Sequence, residues 1–228
     1  MIRRDYLLRM IEEFIRAMAR INAAKKGQQW NEATGEIDQE FARLIGAGPD
    51  AVSRLSETEL LARLMADEPT QAVRDKTLML AALLKEAGDV AAAQGEAEES
   101  HARYAKGLHL LLYTLGRGEV FECPEFVPTV EVFVHALRDA PLSLRTRVLL
   151  MEHYERCGEF ARAEDEWYAI LEHDRQNAQM LEFGVAFYER LLRHSDAALA
   201  AGNLPRAEVE QALADLKQAM TSGHRHSL

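Results

Sequence analysis

The stretch that decides the fold covers residues 144–177, with the sequence LRTRVLLMEHYERCGEFARAEDEWYAILEHDRQN. Before Gly158, apolar residues recur at helical spacing as far as Tyr154, and after it Ala163 and Trp167 share one helix face. This 3.6-residue period predicts two antiparallel helices joined at the glycine, with the indole beside the small alanine. A single hairpin cannot bury its apolar side alone, so the pattern also predicts neighbouring hairpins.

The composition is that of an ordinary globular protein, with 228 residues of which 48% are hydrophobic. Stretches rich in Ala, Leu, Glu and Arg favour helices, so we predict an all-α fold. The net charge of −10 argues against a general affinity for nucleic acid. The longest apolar runs are too short to span a bilayer, and we expect a cytoplasmic protein. Cys123 and Cys157 are predicted to be buried free thiols.

Breaks in the helical pattern divide the chain into three parts. We predict an N-terminal helical hairpin with a connecting helix over residues 1–69, a helical array over 70–221, and a disordered tail over 222–228. Within the array, Gly88 is interpreted as the turn of an earlier hairpin. The pattern leaves open whether residues 89–115 form one helix or two.

Two shorter segments carry local signals. Ser56 and Glu59 have the spacing of a capping box, which predicts the start of a helix. Residues 119–126 form an aromatic, irregular loop before another predicted helix. Val132 and Phe133 make that helix apolar nearly all round, so we expect it to be buried in this chain or against a partner, and the segment is a second candidate binding surface.

The first helix, predicted over residues 5–26, carries a seam of apolar residues with alternating spacings of four and three: Leu7, Ile11, Phe14, Met18 and Ile21. Such a seam is typical of a helical hairpin or a coiled coil. Arg9 and Arg16 lie on the polar side with Glu12 between them, so contact with an anionic surface or an acidic partner is an alternative. Packing within the chain or homodimerisation through the seam is favoured. The opening RDYLLRMIEEF is similar to the start of an uncharacterised family of bacterial helical proteins, which implies no activity.

The 144–177 hairpin resembles a tetratricopeptide repeat at five positions: Leu150, Tyr154, Gly158, Ala163 and Trp167. It departs from that family's pattern at four others: Arg147, Met151, Ile170 and Arg175. Gly88 and Gly158 are 70 residues apart, about two periods of 34–35 residues, which extends the resemblance weakly to residues 74–107. The resemblance implies a short right-handed array of stacked antiparallel hairpins with a concave groove for peptide ligands.

The same resemblance implies which residues face that groove: Arg145, Glu152, Glu155 and Arg156 from this hairpin, and Lys85 from the earlier one. We therefore expect a protein or peptide partner that is selected by charge. Acidic chaperone tails are disfavoured, because the carboxylate clamp of that family needs Lys and Asn where this chain has Val148 and Glu152. A solvated helix face without a ligand is the alternative.

No motif in the sequence predicts catalysis, a cofactor or a metal site. Glu98 and His101 have the Glu-x-x-His spacing of di-iron helical bundles, but the sequence holds no second pair of this kind. We therefore predict a non-enzymatic protein-interaction or adaptor module. The alternatives are a small metal- or ligand-binding helical protein at Glu98 and His101, and a structural homodimer joined through residues 5–26.

Overall fold

A computed structural model of the protein describes residues 2–65, 70–118, 121–174 and 177–223. All regular structure in these ranges is helical, as the sequence predicts, and no strand is present there. The described helices are α1 (Ile2–Lys26), α2 (Trp30–Ile45), α3 (Pro49–Arg54), α4 (Glu57–Met65), α5 (Thr70–Ala93), α6 (Ala97–Gly116), α7 (Val130–Ala136), α8 (Leu144–Cys157), α9 (Phe160–Leu171), α10 (Ala178–Leu191), α11 (Asp196–Ala201) and α12 (Arg206–Gly223).

Contacts between the helices divide the chain into two compact units, Met1–Leu142 and Ser143–Leu228. The sequence pattern places a boundary between residues 69 and 70 instead. Helices from both sides of that position belong to one unit, because α1, α2 and α4 all pack against α5. The predicted hairpin of α1 and α2 is present, but its helices share a core with the helix that follows.

Helices α5 and α6 form the central hairpin of the first unit. All seven residues of the run 78–84 in α5 are at most 1% exposed. A helix that is apolar on every side needs neighbours all round, and α1, α2, α4 and α6 provide them. Helix α7 packs against α6, where the ring of Phe133 lies over Gly107. A β-carbon at this glycine would come within 2.6 Å of the ring.

The turn between α5 and α6 lies at Gly95, so the predicted turn at Gly88 is wrong. Helix α5 continues through Gly88 to Ala93, and Gly95 adopts a left-handed φ of 81° that glycine tolerates best. Gly88 serves a different purpose, since a β-carbon there would lie 2.9 Å from the ring of Tyr104. The glycine lets α5 and α6 approach closely, and a helix interior tolerates it.

This correction removes the spacing argument for a repeat. The glycines that occupy equivalent turns are Gly95 and Gly158, both with positive φ, and they are 63 residues apart. That distance is not two periods of about 34–35 residues. Residues 89–115 hold the end of α5, the turn and most of α6, which answers whether they form one helix or two.

Helix α4 begins with the capping box that the sequence predicts. The backbone N–H of Ser56 donates to Glu59 Oε2 at 2.8 Å, and the backbone N–H of Glu59 donates to Ser56 Oγ at 3.3 Å. The hydrogen bonds that the backbone N–H and the hydroxyl of Ser56 donate to the Glu59 carboxylate hold its pKa below the ordinary value. The two orphan amides at the start of the helix are thereby satisfied.

Helix α7 is short, and within this chain only one of its sides is buried. It spans seven residues, Val130–Ala136, and only one of its sides packs against α6. Phe133 is fully buried, but Val132 is exposed. Burial within this chain therefore does not extend to Val132, because so short a helix offers one face to its neighbour, and burial against a partner stays a prediction.

In the second unit, the predicted hairpin is present as α8 and α9. Gly158 ends α8 with a left-handed φ of 77°, and the hydroxyl of Ser143 caps its start by accepting the backbone N–H of Thr146 at 3.3 Å. Trp167 is fully buried, as expected. Its indole lies over Gly184 of α10, where a β-carbon would collide with the ring.

The C-terminal part of this unit differs from the pattern in two places. The apolar spacing from about Gln179 to Ala201 predicts one helix. The structure has two there, because Ser195 caps a new start by accepting the backbone N–H of Ala198 at 3.2 Å. Helix α12 extends to Gly223, two residues into the predicted tail. Residues 224–228 lie outside the described residues.

Candidate interaction surfaces

The first half of α1 carries an apolar stripe that its own unit does not cover. Leu8 and Ile15 are 52% and 49% exposed, and Ile11 between them is half-buried. Their spacings of three and four residues place them along one line of the helix. We call this line, Leu8, Ile11 and Ile15, the α1 outer face.

The predicted self-association seam faces mainly another side of α1, and it shares Ile11 with the outer face. Phe14 and Ile21 are fully buried, and Met18 is nearly so. The ring of Phe14 packs edge-on against Phe126 with 5.1 Å between ring centroids. The seam is therefore largely the inner face of the first unit, and only Leu7 and Ile11 at its start are half-buried.

Charged side chains border the α1 outer face on its solvent side. Arg9, Glu12 and Arg16 follow one another there as plus, minus, plus. The Arg16 and Glu12 side chains are 68% and 65% exposed, and their closest atoms are 3.5 Å apart. An exposed pair of this kind contributes little to stability, so these charges remain available to a partner.

Two further charges of α1, Glu13 and Arg20, hold it to α2. Arg20 Nε donates to Glu36 at 2.8 Å, and Arg43 Nη1 donates to Glu13 at 3.4 Å. The basic side that the sequence shows is thus divided between two uses. One part joins two helices of the same unit, and the other faces solvent.

Lys85, a predicted groove residue, belongs instead to an ionic cluster between α1, α5 and α6. Its ammonium lies 2.9 Å from Asp89 Oδ2, and the same carboxylate accepts hydrogen bonds from Lys25 and, at 2.6 Å, from the Tyr104 hydroxyl. Glu86, which is buried, pairs with both lysines. The charges are balanced inside the unit, so Lys85 does not face an open groove.

The pKa values of this cluster follow from its contacts. Burial raises the pKa of Asp89, but hydrogen bonds from Lys25, Tyr104 and Lys85 outweigh it and lower the pKa below its ordinary value. Burial lowers the pKa of Lys85, and the charge of Glu86 with the contacts to Asp89 outweighs this and raises it. Burial, then the bond to Asp89, raise the pKa of Tyr104. Each of these pKa shifts is therefore explained by burial and by contacts within the cluster.

The other four predicted groove residues share one face of α8. Arg145, Glu152 and Arg156 are exposed there. Glu155 is engaged, because its carboxylate accepts two hydrogen bonds of 2.8 Å from Arg190 of α10. This contact raises the pKa of the Arg190 guanidinium and joins two helices of the second unit. Lys85, in contrast, lies in the first unit.

The second predicted binding surface, residues 119–138, is described from residue 121 onward, and most of its large apolar side chains pack against their own unit. The guanidinium of Arg74 lies 4.8 Å from the centroid of the Phe121 ring, Phe126 contacts α1, and Val127 is buried. Among the described residues of this segment, Val132 is the one large apolar side chain that is exposed. A partner would therefore find little apolar area here.

The chain matches the model of a protein family along residues 1–221, and that family is described as a family of unknown function, DUF6483. The protein belongs to this family. Its membership agrees with the resemblance of the N-terminus to an uncharacterised family, whereas the tetratricopeptide resemblance stays a prediction. No curated protein and no solved structure matches the chain.

The candidate metal pair has no further metal ligand beside it among the described residues. Glu98 is exposed and His101 half-buried on α6, and no group of three or more His, Cys, Asp or Glu side chains in the described ranges is placed to hold a metal ion.

Cys123 and Cys157 are both exposed, so the prediction of buried thiols is wrong. None of the helices described is both long and apolar enough to cross a membrane.

Sequence reasoning missed the α1 outer face. Leu8 and Ile15 are seven residues apart, which is a signal of two helical turns on one side. Leu7 and Phe14 carry the same signal one residue earlier, and they were assigned to the seam. Only the neighbouring helices decide which of the two lines is covered.

Proposed function

We propose that the protein is a non-enzymatic protein-interaction module and that the α1 outer face is its principal binding surface. One observation carries this proposal: of the six exposed large hydrophobic side chains in the described residues, Leu8 and Ile15 lie on one line of α1, with the half-buried Ile11 between them. Single exposed apolar residues are normal on a soluble protein, but a line of them on one helix marks a contact surface.

The chemistry of this surface suits a helical protein partner. Side chains at spacings of three and four residues fit between those of another helix, and burying a leucine or isoleucine contributes about 1.5–3 kcal/mol. The border formed by Arg9, Glu12 and Arg16 adds alternating charges that select a partner of matching pattern.

A non-enzymatic role is supported by the way the shifted titratable groups are used. The raised pKa of Tyr188 has burial as its first cause and the hydrogen bond to Glu164, of 2.7 Å, as its second. Burial raises the pKa of Glu166, which is paired with Arg147 at 2.9 Å. Like the cluster around Asp89, these groups join helices of one unit, which is a structural use.

The exposed face of α8 is a second surface for the same kind of function. Arg145, Glu152 and Arg156 lie on one side of that helix, and the Nε of Arg156 donates to the backbone oxygen of Glu152 at 3.2 Å. The double variant Arg145→Glu/Arg156→Glu reverses the charge of this face. It provides a comparison for variants of α1.

Site-specific photo-crosslinking in cells tests the proposal. A photoreactive residue is placed at Leu8, and for comparison at Glu210, an exposed residue of α12. We expect discrete protein adducts at position 8 that Ile15→Glu weakens about tenfold or more, because a charge in an apolar contact is costly. Equal adduct yields at the two positions, or adducts indifferent to Ile15→Glu, would overturn the proposal for α1.

A further inference from the structure

The α1 outer face is complementary to itself when two copies run in opposite directions. In this arrangement two α1 helices lie antiparallel, and a twofold axis between them passes midway between residues 10 and 11 of each helix. The apolar side chains of the two copies then alternate along the contact. Their order is the partner's Ile15, then Leu8, the partner's Ile11, Ile11, the partner's Leu8, and finally Ile15. Successive side chains are offset by one or two residues, about 1.5–3 Å of helix rise, so each fills the space between two others.

The same alignment also pairs opposite charges. Arg9 comes level with the partner's Glu12, and Glu12 comes level with the partner's Arg9. A parallel arrangement would place each of these residues opposite its own copy, and like charges would repel. Apolar packing and charge therefore select one orientation and one register together.

Neighbouring helices leave this face open. The side chains that join α1 to α2, Glu13 and Arg20, lie on another side of the helix, and the contact with the aromatic loop runs through Phe14. Arg9 and Glu12 are exposed. A second helix can thus reach the α1 outer face without displacing any described element of the first unit.

We propose that the α1 outer face binds the same face of a second copy of the chain, antiparallel, with Arg9 and Glu12 exchanged between the copies. This inference rests on the proposed function, because it names the partner of that same surface. It differs from homodimerisation through the seam of Leu7 to Ile21, most of which is inside the unit. An anionic lipid surface fits less well, because Glu12 lies at the centre of the charged border.

Paired charge reversals test the register. Arg9→Glu makes the border acidic at both contacts, and Glu12→Arg makes it basic at both. We expect light scattering to give twice the chain mass for the wild type, and each variant alone to dissociate about tenfold more readily. An equimolar mixture of the two variants should recover the double mass, since each then finds opposite charges in the other.

The controls keep the outcomes distinct. Arg138→Glu reverses an equally exposed charge on another surface, and it should leave the mass unchanged. Circular dichroism checks that every variant remains helical. A wild type that is monomeric from micromolar to millimolar concentration would overturn self-association, and so would a mixture that fails to recover the mass.

The two proposals can fail separately. If the wild type is monomeric but the photoreactive residue at Leu8 captures a different protein, the proposed function stands and the partner named here is wrong. If the wild type is monomeric and no adduct forms at position 8, both are wrong. Sedimentation with vesicles rich in anionic lipid, bound by the wild type and not by Arg9→Glu, would also overturn the second-copy proposal.

Discussion

Trp167 is the largest fully buried side chain in the described residues, and its Nε1–H has no hydrogen-bond partner there. Its ring packs against Phe183, with 6.0 Å between ring centroids, and lies over Gly184. The indole thus contributes volume to the core of the second unit and also an unsatisfied donor. These two effects have opposite signs, and different substitutions separate them.

We expect Trp167→Ala to lower the free energy of unfolding by about 3–5 kcal/mol, because it opens a large cavity. Trp167→Phe keeps much of the ring and removes the unpaired N–H, so we expect a loss of about 1.5 kcal/mol or less. Urea unfolding followed by far-UV circular dichroism measures both. A Phe variant as unstable as the Ala variant would contradict this, because it would show that the lost indole volume outweighs the removal of the unpaired N–H.

Asp89 makes stability depend on pH in the acid range. Its pKa is lower in the folded protein than in the unfolded chain, so the stability that it contributes is present above the unfolded value of about 3.9 and is lost as pH falls through the folded value. We expect wild-type stability to decline more steeply below about pH 4 than that of Asp89→Asn. Asp139→Asn, on an exposed pair, should follow the wild type.

At the scale of helices, two glycines inside regular helices are expected to respond in opposite ways to one substitution. A β-carbon at Gly35 in α2 would meet nothing within 4 Å, whereas at Gly88 in α5 it would press on Tyr104. Gly35→Ala should raise the free energy of unfolding by about 0.5–1 kcal/mol through helix propensity. Gly88→Ala should lower it by about 1–3 kcal/mol through overpacking.

Thermal or urea unfolding of the two variants beside the wild type decides this point. If both variants are stabilised, Tyr104 does not pack on Gly88 as described. If both are destabilised, α2 is not regular at Gly35. The pair therefore tests the position of α5 against α6 as well as the role of each glycine.

The same elements show what sequence alone can predict. Gly158, Trp167 and the Ser56 capping box were predictable, because turns, caps and helical faces depend on residues close in the chain. The role of Gly88 was not predictable, since it depends on Tyr104 in the next helix. The α1 outer face was not predictable for the same reason: two apolar lines with equal spacing run along α1, and tertiary neighbours cover one of them.

At the scale of the whole molecule, net charge opposes the proposed self-association. Each chain carries −10, so two copies repel one another at long range. At physiological ionic strength this repulsion is screened beyond about 8 Å, whereas apolar burial at the contact is not screened. Whether two copies associate therefore depends on how much apolar area the α1 outer face buries. Association through this face would make the stability of the chain depend on its concentration.

We expect the melting temperature of the wild type to rise by about 1–3 °C for each tenfold increase in protein concentration, because mass action favours the associated folded state. The melting temperature of the Ile15→Glu variant should not change with protein concentration, since the variant introduces a charge into the contact. Tyr168→Glu, at an exposed aromatic residue of the second unit, should keep the concentration dependence of the wild type. Differential scanning calorimetry over a wide concentration range makes the comparison. A wild-type melting temperature that is constant with concentration would show that folding and association are not linked through α1.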